Sequence, residues 1–479
     1  FGLGTLLPWD KQFVIESLSD STIYMAYYTF AHILQAGPLD GSVPGEGNIA
    51  ATELTEEVFD YIMLDKPYPN DSKIPREVLD RMKNEFQYWY PVDLRVSGKD
   101  LIQNHLTFFL YIHCAVFSQK HWPKSIRTNG HLLLNGEKMS KSVGNFKTLR
   151  AAIQEYSADA MRLALALSGD SNEDANFEHD VANAAILKLT NEIQFVEKAI
   201  VDVSMREGPV SLFIDSVFAN EINRLTHSAE ACFKRMNYRD AVIEGWDKLQ
   251  NARDKYRAMA ATIGMRKDLV MKFIDVQTLL ISPFCPHYAE HVWELTGHAT
   301  SVMSARWPTA DNVDAMLVRM NGYFEKTLSD LRSKAEKARV KVKLFGAVIY
   351  VADEFLDWQQ TTLNVLRHVA TSEGSFKKDF KKRIMALPDM SLLKPLTKVV
   401  MPFVAFCMDD FDQRGVEAFE LKMPFDEVQV LTDLLDYIKR ELALDTISIQ
   451  KWPPVDVAVA KKLQPPTPGK PAVVWSSPS

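Results

Sequence analysis

The sequence predicts a mixed α/β region, then a helical bundle, then a small α+β region. Its 479 residues correspond to about three domains at roughly 150 residues each. Apolar residues make up 47% and charged residues 24%, as in ordinary globular proteins. Short β-rich runs give way to long amphipathic patterns near residue 148, and a β-rich run returns after residue 310. We therefore expect domains over 1–147, 148–310 and 311–479.

The first region combines candidate strands, one helix and two loops. The β-rich composition of residues 22–29 and 94–96 predicts strands or strand edges. Residues 100–117 predict a helix, since apolar residues recur at helical spacing. We expect its inner face to carry Leu101, His105, Phe108 or Phe109, and Ile112. Gly and Pro mark loops over 36–48 and 66–71.

The second and third regions follow from spacing and helix boundaries. Leu269, Phe273, Val276 and Leu280 predict the buried face of one bundle helix. Helix boundaries are expected at the runs 157–160, 208–209 and 282–283. After Pro308 we expect a helix that contains Leu331, and a strand over 348–351. The proline-rich tail from Pro465 is expected to be extended and loosely held.

Charge and cysteine content exclude several classes of protein. The net charge of −7 argues against a general nucleic-acid coat, because phosphate-driven binding needs excess Lys and Arg. The four cysteines form no C-x-x-C pair, which favours a reducing, intracellular location. No apolar run approaches the roughly 20 residues that cross a bilayer, so we expect no membrane association.

The segment 135–145 is the sharpest chemical signal. Lys138 and Lys141 stand three residues apart among Ser and Gly, which suits a cationic loop that contacts a polyphosphate. A solvated surface loop is the usual alternative for such a pentamer. Lysines acting on charge that develops in a transition state would accelerate a reaction.

The pentamer 138–142 is the KMSKS signature of class I aminoacyl-tRNA synthetases, and average composition gives it by chance in about 10⁻⁴ of chains this long. Its surroundings, 130–134 and 144–146, resemble leucyl-tRNA synthetases of the eukaryotic cytosolic and archaeal kind. Further resemblances lie in 9–12, 16–26, 90–101, 254–257 and 400–404. The resemblance implies the second half of a Rossmann-type catalytic domain, an anticodon-binding-type helical bundle and a C-terminal α+β domain.

The resemblance also implies a reaction and a set of site residues. Leucine attacks the α-phosphate of ATP, which is used with Mg²⁺, and the leucyl group then passes to tRNA(Leu). In the family the signature lysines stabilise the departing pyrophosphate, a role that carries to Lys138 and Lys141. The implied ATP-binding residues are Gly98, Asp100, His105, Lys138, Met139, Ser140, Lys141 and Ser142. The implied leucine-binding residues are Ser21, Tyr24 and His105.

Two of these assignments have a purely structural alternative. A Gly-x-Asp sequence such as 98–100 is more often an ordinary turn than a ribose site. His105 is as well explained by a satisfied core histidine as by a pocket residue. The register at Ser21 and Tyr24 is open by one residue, and such a slip in a strand reverses every side chain.

The chain departs from the family at two points. None of its 11 histidines stands in the H-x-G-H signature, and 150 residues leave no room for the editing domain. We expect both in an upstream half, which is therefore a required partner, and expect the chain alone to activate leucine scarcely. A cytoplasmic location is expected, and a multi-synthetase assembly is a further candidate partner.

RNA contacts are predicted only coarsely. Residues 331–343 hold six basic residues against one acidic, a local charge of +5, and 376–383 hold five against one. The candidate tRNA-binding residues are Lys334, Lys337, Arg339 and Lys341. A charge run is also the usual form of a solvated helix face.

Two other functions remain open. His287, Glu290 and His291 match the H-x-x-E-H pattern of zinc peptidases, although the synthetase resemblance implies no metal there. The missing H-x-G-H favours a non-catalytic tRNA-binding, scaffold or leucine-sensing protein. The intact lysine pair favours the enzyme.

Overall fold

The structure is a computed structural model that describes residues 6–7, 9–16, 18–38, 40–139, 144–169, 171, 173–208, 212–340, 342–376, 379–454 and 465–477. The chain forms two compact units, residues 1–190 and 191–479. The boundary falls inside a long helix, α8 (His179–Val201). The expected boundaries at 147/148 and 310/311 stay predictions.

The first unit mixes helices with two small sheets. Its other helices are α1 (Tyr24–Tyr28), α2 (Ala31–Leu34), α3 (Glu56–Met63), α4 (Arg76–Trp89), α5 (Thr107–Val116), α6 (Leu149–Tyr156) and α7 (Ala158–Ser168). Its strands are β1 (Arg95–Gly98), β2 (Ile126–Asn129), β3 (Leu132–Leu134), β4 (Glu137–Lys138) and β5 (Ala175–Phe177). Helices α3 and α4 bury Ile62 and Phe86 in one core with Phe30 of the preceding segment.

Residues 22–29 correct one prediction, because they are helical rather than extended. A 3₁₀ turn (Asp20–Thr22) leads into α1. The hydroxyls of Ser21 and Thr22 donate to the carbonyls of Leu18 and Ser19, at 2.9 and 2.7 Å. Such bonds from a side chain to nearby backbone compete with strand pairing. Composition rich in Thr and Tyr was therefore a poor guide here.

The predicted strand at 94–96 and helix at 100–117 are confirmed, but the inner face of the helix differs from the prediction. The segment passes from a 3₁₀ turn (Lys99–Leu101) through a π-helical turn (Ile102–Leu106) into α5. The π turn adds one residue per turn and shifts the face by one position. His105 and Phe109 are buried as expected, whereas Phe108 and Ile112 are 42% and 38% exposed.

The second unit begins with the expected helical bundle. Its helices are α9 (Phe213–Lys234), α10 (Tyr238–Val242), α11 (Leu249–Met259), α12 (Lys267–Ile281) and α13 (Pro286–Leu295). The predicted face of α12 is confirmed, since Leu269, Phe273, Val276 and Leu280 are all buried. Ser157 caps α7 by accepting from the Ala160 amide, as its sequence predicts. The break expected at 282–283 is confirmed between α12 and α13.

The remainder of the second unit surrounds a three-stranded sheet in the order β7-β6-β8. Its strands are β6 (Gly346–Val351), β7 (Thr446–Lys451) and β8 (Ala472–Ser476), and its helices are α14 (Ala315–Arg339), α15 (Asp357–Glu373), α16 (Phe380–Arg383), α17 (Pro388–Ser391), α18 (Thr397–Arg414), α19 (Glu427–Asp433) and α20 (Leu435–Glu441). β6 pairs in parallel with β7 and antiparallel with β8. The tail is therefore not loosely held at 472–476, because its β-branched and aromatic residues complete the sheet.

Candidate functional site

Strands β1 and β2 lie side by side as a parallel pair. Their register aligns Arg95 with Ile126 and Gly98 with Asn129. Both carboxyl ends therefore lie at the same edge, where open α/β sheets bind ligands. The residues that follow them, 98–105 and 130–131, form the core of the candidate site.

Gly98 and Asp100 are held close together at this edge. A Cβ atom on Gly98 would lie 2.5 Å from Oδ1 of Asp100, so a larger residue would displace the carboxylate. The Asp100 side chain is 60% exposed and can accept hydrogen bonds from outside the unit. These positions fit a hydroxyl-binding carboxylate beside accessible backbone.

The three residues expected to contact leucine come together around one arginine. Ser21 Oγ lies 3.0 Å from His105 Nδ1, although the two residues are 84 positions apart. Arg95 Nη2 lies 3.3 Å from both the Tyr24 hydroxyl and His105 Nε2. Ser21 and Tyr24 therefore join one network with His105, although the backbone at 20–28 is helical and not the predicted strand.

Arginine fixes the tautomer of His105. A guanidinium only donates hydrogen bonds, so Nε2 of His105 must accept from Arg95. The proton of the neutral imidazole then lies on Nδ1, which donates to Ser21 Oγ. Burial, and secondly the charge of Arg95, lower the pKa of His105 below its ordinary value. His105 is therefore a neutral, oriented side chain near pH 7.

Several residues of this edge were missed from the sequence. Arg95 contacts both Tyr24 and His105 through its Nη2. Its Nε is buried without a hydrogen-bond partner among the described residues. Asp174 Oδ1 accepts from Lys99 Nζ at 2.7 Å and from the backbone amide of His131 at 2.9 Å. These donors lower the pKa of Asp174. No motif marks Arg95 or Asp174, and only the fold brings them to the site.

His131 lies between the two carboxylates of this edge. Its Nε2 is 3.9 Å from Asp100 Oδ1 and its Nδ1 is 3.7 Å from Asp174 Oδ1. Gly130 precedes it because a Cβ there would stand 2.1 Å from the Glu173 carbonyl oxygen. Close packing thus requires glycine at position 130, and this places His131 beside both carboxylates.

Lys138 lies on an exposed β-hairpin. β3 pairs antiparallel with β4, with Leu133 opposite Lys138, and β3 also pairs in parallel with β5. The turn Asn135-Gly136 has φ values of 50° and 83°, which Asn-Gly adopts readily. Asn145 Nδ2 donates to the Lys138 carbonyl at 3.1 Å. Met139 is partly buried next to it, and Ser140, Lys141 and Ser142 lie outside the described residues.

The basic residues of α14 are partly engaged by neighbouring groups. Lys334 Nζ lies 2.6 Å from Asp330 Oδ2, and Arg339 donates to the Leu442 carbonyl. Lys334 and Lys337 nevertheless line a cleft of about 920 Å³ that Lys398 and Lys470 also line. Lys341 lies outside the described residues. The cleft, rather than the helix alone, gathers positive charge.

The H-x-x-E-H segment lies on α13, where its carboxylate has structural partners. Glu290 Oε2 accepts from the Ser301 hydroxyl and the Val302 amide, both at 2.9 Å. Within the described ranges, no cluster of three or more His, Cys, Asp or Glu side chains is arranged to hold a metal ion. Glu290 thus fixes the loop that follows α13.

No helix among the residues that the structure describes has both the length and the apolar character needed to span a membrane. Three family models match consecutive parts of the chain. Residues 68–194 match class I tRNA synthetases (M), residues 215–347 match the anticodon-binding domain of tRNA ligase, and residues 351–424 match the RagD-binding domain of leucine–tRNA ligase. The matches fall in both compact units and leave residues 1–67 and 425–479 unmatched.

Curated relatives match almost the whole chain. A cytoplasmic leucine–tRNA ligase of Pongo abelii is 44% identical over 94% of this chain and 39% of its own length. Proteins of the same name from Dictyostelium discoideum and Arabidopsis thaliana are each 43% identical, over 98% and 99% of this chain and 45% and 46% of theirs. The chain therefore spans less than half the length of these relatives.

Proposed function

Because this chain belongs to the leucine–tRNA ligase family, of the cytoplasmic type within the class I synthetases, we propose that it supplies part of the leucine-activating site and the tRNA-binding region of a longer ligase. The ligase would join leucine to tRNA(Leu) in two steps through leucyl-adenylate. The cytoplasm is the proposed location, as the names of the relatives indicate. Partners would be leucine, ATP, tRNA(Leu) and the upstream half, with a multi-synthetase assembly as a further candidate.

The observation that carries this proposal is the contact between Ser21 and His105. Distant segments supply these side chains, yet Ser21 Oγ and His105 Nδ1 lie 3.0 Å apart. We propose that Ser21, Tyr24 and His105 border the leucine pocket. The buried Nε of Arg95 supports this, because a polar substrate group would satisfy a donor whose isolation costs about 1 to 3 kcal/mol.

ATP would bind along the same strand edge and beside the hairpin. Asp100 would accept hydrogen bonds from the ribose, with Gly98 allowing close approach of the backbone. Mg²⁺ would arrive on the phosphate oxygens of ATP, as it does at many nucleotide sites. Met139, Ser140 and Ser142 would contact ATP around the two lysines.

Lys138 and Lys141 would act on charge rather than on covalent bonds. As the α-phosphate bond breaks, negative charge accumulates on the departing pyrophosphate. Ammonium groups positioned near that charge stabilise the transition state more than the ground state. Lys138 is exposed on β4, which suits a cation that must meet a solvated polyphosphate.

Transfer RNA would contact the second unit. The anticodon-binding match at 215–347 covers nearly all of helices α9 to α13 and the whole of α14. Lys334, Lys337, Arg339 and Lys341 would contact phosphates, which position an RNA without reading its sequence. The lysine-lined cleft supports this choice over the alternative of a solvated helix face.

Complementation tests the proposed enzyme. The chain would be mixed with a separately produced upstream segment that carries the H-x-G-H motif, and leucine-dependent ATP–pyrophosphate exchange would be measured. Exchange should appear only in the mixture and only with leucine. Tight tRNA binding without any exchange would instead favour the non-catalytic alternative.

A second function is favoured by the match at 351–424, and we propose that this region also binds a RagD protein. Four exposed apolar residues of the segment 392–406, called the apolar stripe, support it: Leu392, Leu396, Val399 and Phe406 are 81%, 41%, 50% and 46% exposed. Val399 and Phe406 also line the lysine-lined cleft, so RagD and tRNA would meet at adjoining surfaces. Exposed apolar patches of this kind usually mark interaction sites. The core beneath, with Leu366, Val400 and Val404, is fully buried and would hold the stripe in place.

The stripe makes the second function testable in the whole chain. Leu392→Glu and Phe406→Glu place charge on the stripe and should each weaken binding of purified RagD at least tenfold in a titration. Val416→Glu, at an apolar position that is 47% exposed outside the stripe, is the matched control. Equal binding by all three variants would reject the stripe as the contact surface.

A further inference from the structure

A chain of hydrogen bonds links Lys147 to the β3–β4 hairpin, which carries Lys138. It begins at Lys147, whose Nζ donates to the Tyr156 hydroxyl at 3.3 Å. The Tyr156 hydroxyl contacts Nδ1 of His179. The backbone amide of His179 donates to Asn135 Oδ1, 3.2 Å away, in the turn between β3 and β4.

The directions of these bonds agree with one another. A lysine ammonium only donates, so the Tyr156 oxygen accepts from Lys147 and keeps its own proton for His179 Nδ1. Charge on the first donor polarises the hydroxyl and strengthens the second bond. Lys147 also pairs with Glu155 on the same side. The chain is thus anchored by an ion pair at one end and by the turn of the hairpin at the other.

Tyr156 is placed to transmit this constraint. It is 2% exposed, packs against Phe177 of β5 at 5.7 Å between ring centroids, and carries the Lys147 ammonium 4.8 Å above its own ring. β5 is the parallel neighbour of β3. The ring therefore lies under the hairpin while its hydroxyl joins the two segments.

A separate hydrogen bond fixes the backbone of Lys138 itself. Asn145 Nδ2 donates to the carbonyl oxygen of Lys138 at 3.1 Å. The turn of the hairpin is held independently, since the Gly136 amide donates to Asn176 Oδ1 at 2.6 Å. Backbone on both sides of the signature thus has a fixed geometry although Lys138 itself is exposed.

We infer that Tyr156, Lys147 and His179 are positioning residues for the leucine activation step, fixing the hairpin so that the Lys138 ammonium meets the pyrophosphate. This inference rests on the proposed function. The three residues would not touch substrate. Their contribution would appear in the step in which pyrophosphate leaves, and not in transfer of leucine to tRNA.

The test uses the full-length ligase with Tyr156→Phe, which keeps the ring and removes the hydroxyl. Leucine-dependent ATP–pyrophosphate exchange should fall about fivefold in kcat, the effect of one hydrogen bond. The rate of leucyl transfer from preformed leucyl-adenylate to tRNA should stay unchanged. Tyr68→Phe is the matched control, because it removes a hydroxyl that donates to the Ile74 carbonyl at 3.0 Å, away from the hairpin.

Lysine variants give a second, independent readout. Lys147→Gln should lower exchange about as much as Tyr156→Phe, and Lys147→Arg should restore it by keeping a charged donor. If Tyr156→Phe matches Tyr68→Phe, or slows both steps equally, the residues are structural and the inference fails. If the unsubstituted ligase shows no leucine-dependent exchange, the proposed function fails instead.

Discussion

The network around His105 and the hairpin around Lys138 differ in what is held in place: the side chain in the first, and the backbone in the second. His105 is 3% exposed, and each of its ring nitrogens has a partner within 3.3 Å. Lys138 is exposed, and its position is set through backbone atoms by Asn145 and the Asn135-Gly136 turn. Hydrogen bonds thus fix the side chain of His105, whereas at Lys138 they fix the backbone and the side chain stays in solvent.

This difference follows from what each site would bind. A pocket for a small, largely apolar amino acid gains from side chains that are ordered before binding, since ordering them later costs free energy. A cation that meets a polyphosphate must stay charged and accessible, and burial would lower the pKa of a lysine. Substitutions in the two sites should therefore affect different kinetic constants.

The largest effect is expected from the cationic segment. Lys141→Ala in the full-length ligase should cost about 2.7 to 4 kcal/mol in the activation step, by analogy with loss of one preorganised donor. The loss should fall on kcat for ATP–pyrophosphate exchange, with the KM for leucine nearly unchanged. Steady-state exchange kinetics at varied leucine would measure both constants.

Lys124→Ala is the matched control for this lysine. Its ammonium pairs with Asp93 at 2.7 Å on the surface, where both side chains are mostly exposed. Such pairs contribute little, so its kinetics should equal those of the unsubstituted protein. An unchanged rate for Lys141→Ala would show that the signature takes no part in the reaction.

A smaller effect of the opposite type is expected from the buried network. Ser21→Ala removes the acceptor of the His105 Nδ1 proton and leaves that donor unsatisfied, so leucine binding should weaken by about 1 to 3 kcal/mol. Here the KM for leucine should rise while kcat changes little. Ser372→Ala, which removes a hydroxyl bond to the His368 carbonyl at an exposed position of α15, is the control. A fall in kcat alone would contradict the division between the two sites.

The two sites also differ in how far the sequence predicts them. Lys138 follows from a contiguous motif, and the Asn-Gly turn that supports it is itself a local signal. A strand at 94–96, which overlaps β1, was predicted from the β-rich composition of that run, and the loops at 36–48 and 66–71 were predicted from Gly and Pro. Where one stretch of sequence determines the local structure, pattern reasoning succeeded.

The buried network shows where such reasoning stops. Ser21 and Tyr24 were assigned to a strand, yet they reach His105 from helical backbone, because hydroxyl bonds to nearby carbonyls stabilise the turn. The π-helical turn at 102–106 shifted the predicted helix face, since its hydrogen bonding does not follow from composition. Arg95 was missed because nothing in a strand sequence tells which distant side chains it meets.

The smallest effect expected is a pH dependence that belongs to the buried network alone. His105 accepts from Arg95 only when neutral, and burial holds its pKa below the ordinary value of 6.5. The folded form therefore binds fewer protons than the unfolded form just below pH 6.5, so the stabilising contribution is complete above that value and decreases as pH falls through the folded pKa. Leucine binding, measured by calorimetry between pH 5 and 8, should weaken toward the acid end.

Glu427, in the second unit, provides a control for the pH dependence expected of His105. Burial raises the pKa of Glu427 to about 7, so its contribution to stability has the reverse sign: it is present below pH 4.5 and is lost as pH rises through 7. Glu427→Gln keeps an acceptor for the Gly469 amide, which lies 3.0 Å away. It should raise the melting temperature at pH 8 and leave the acid weakening of leucine binding intact. If Glu427→Gln abolished that weakening, the pH dependence of leucine binding would not arise from His105. The pH dependence could then no longer be used to distinguish the His105 network from the Lys138 hairpin.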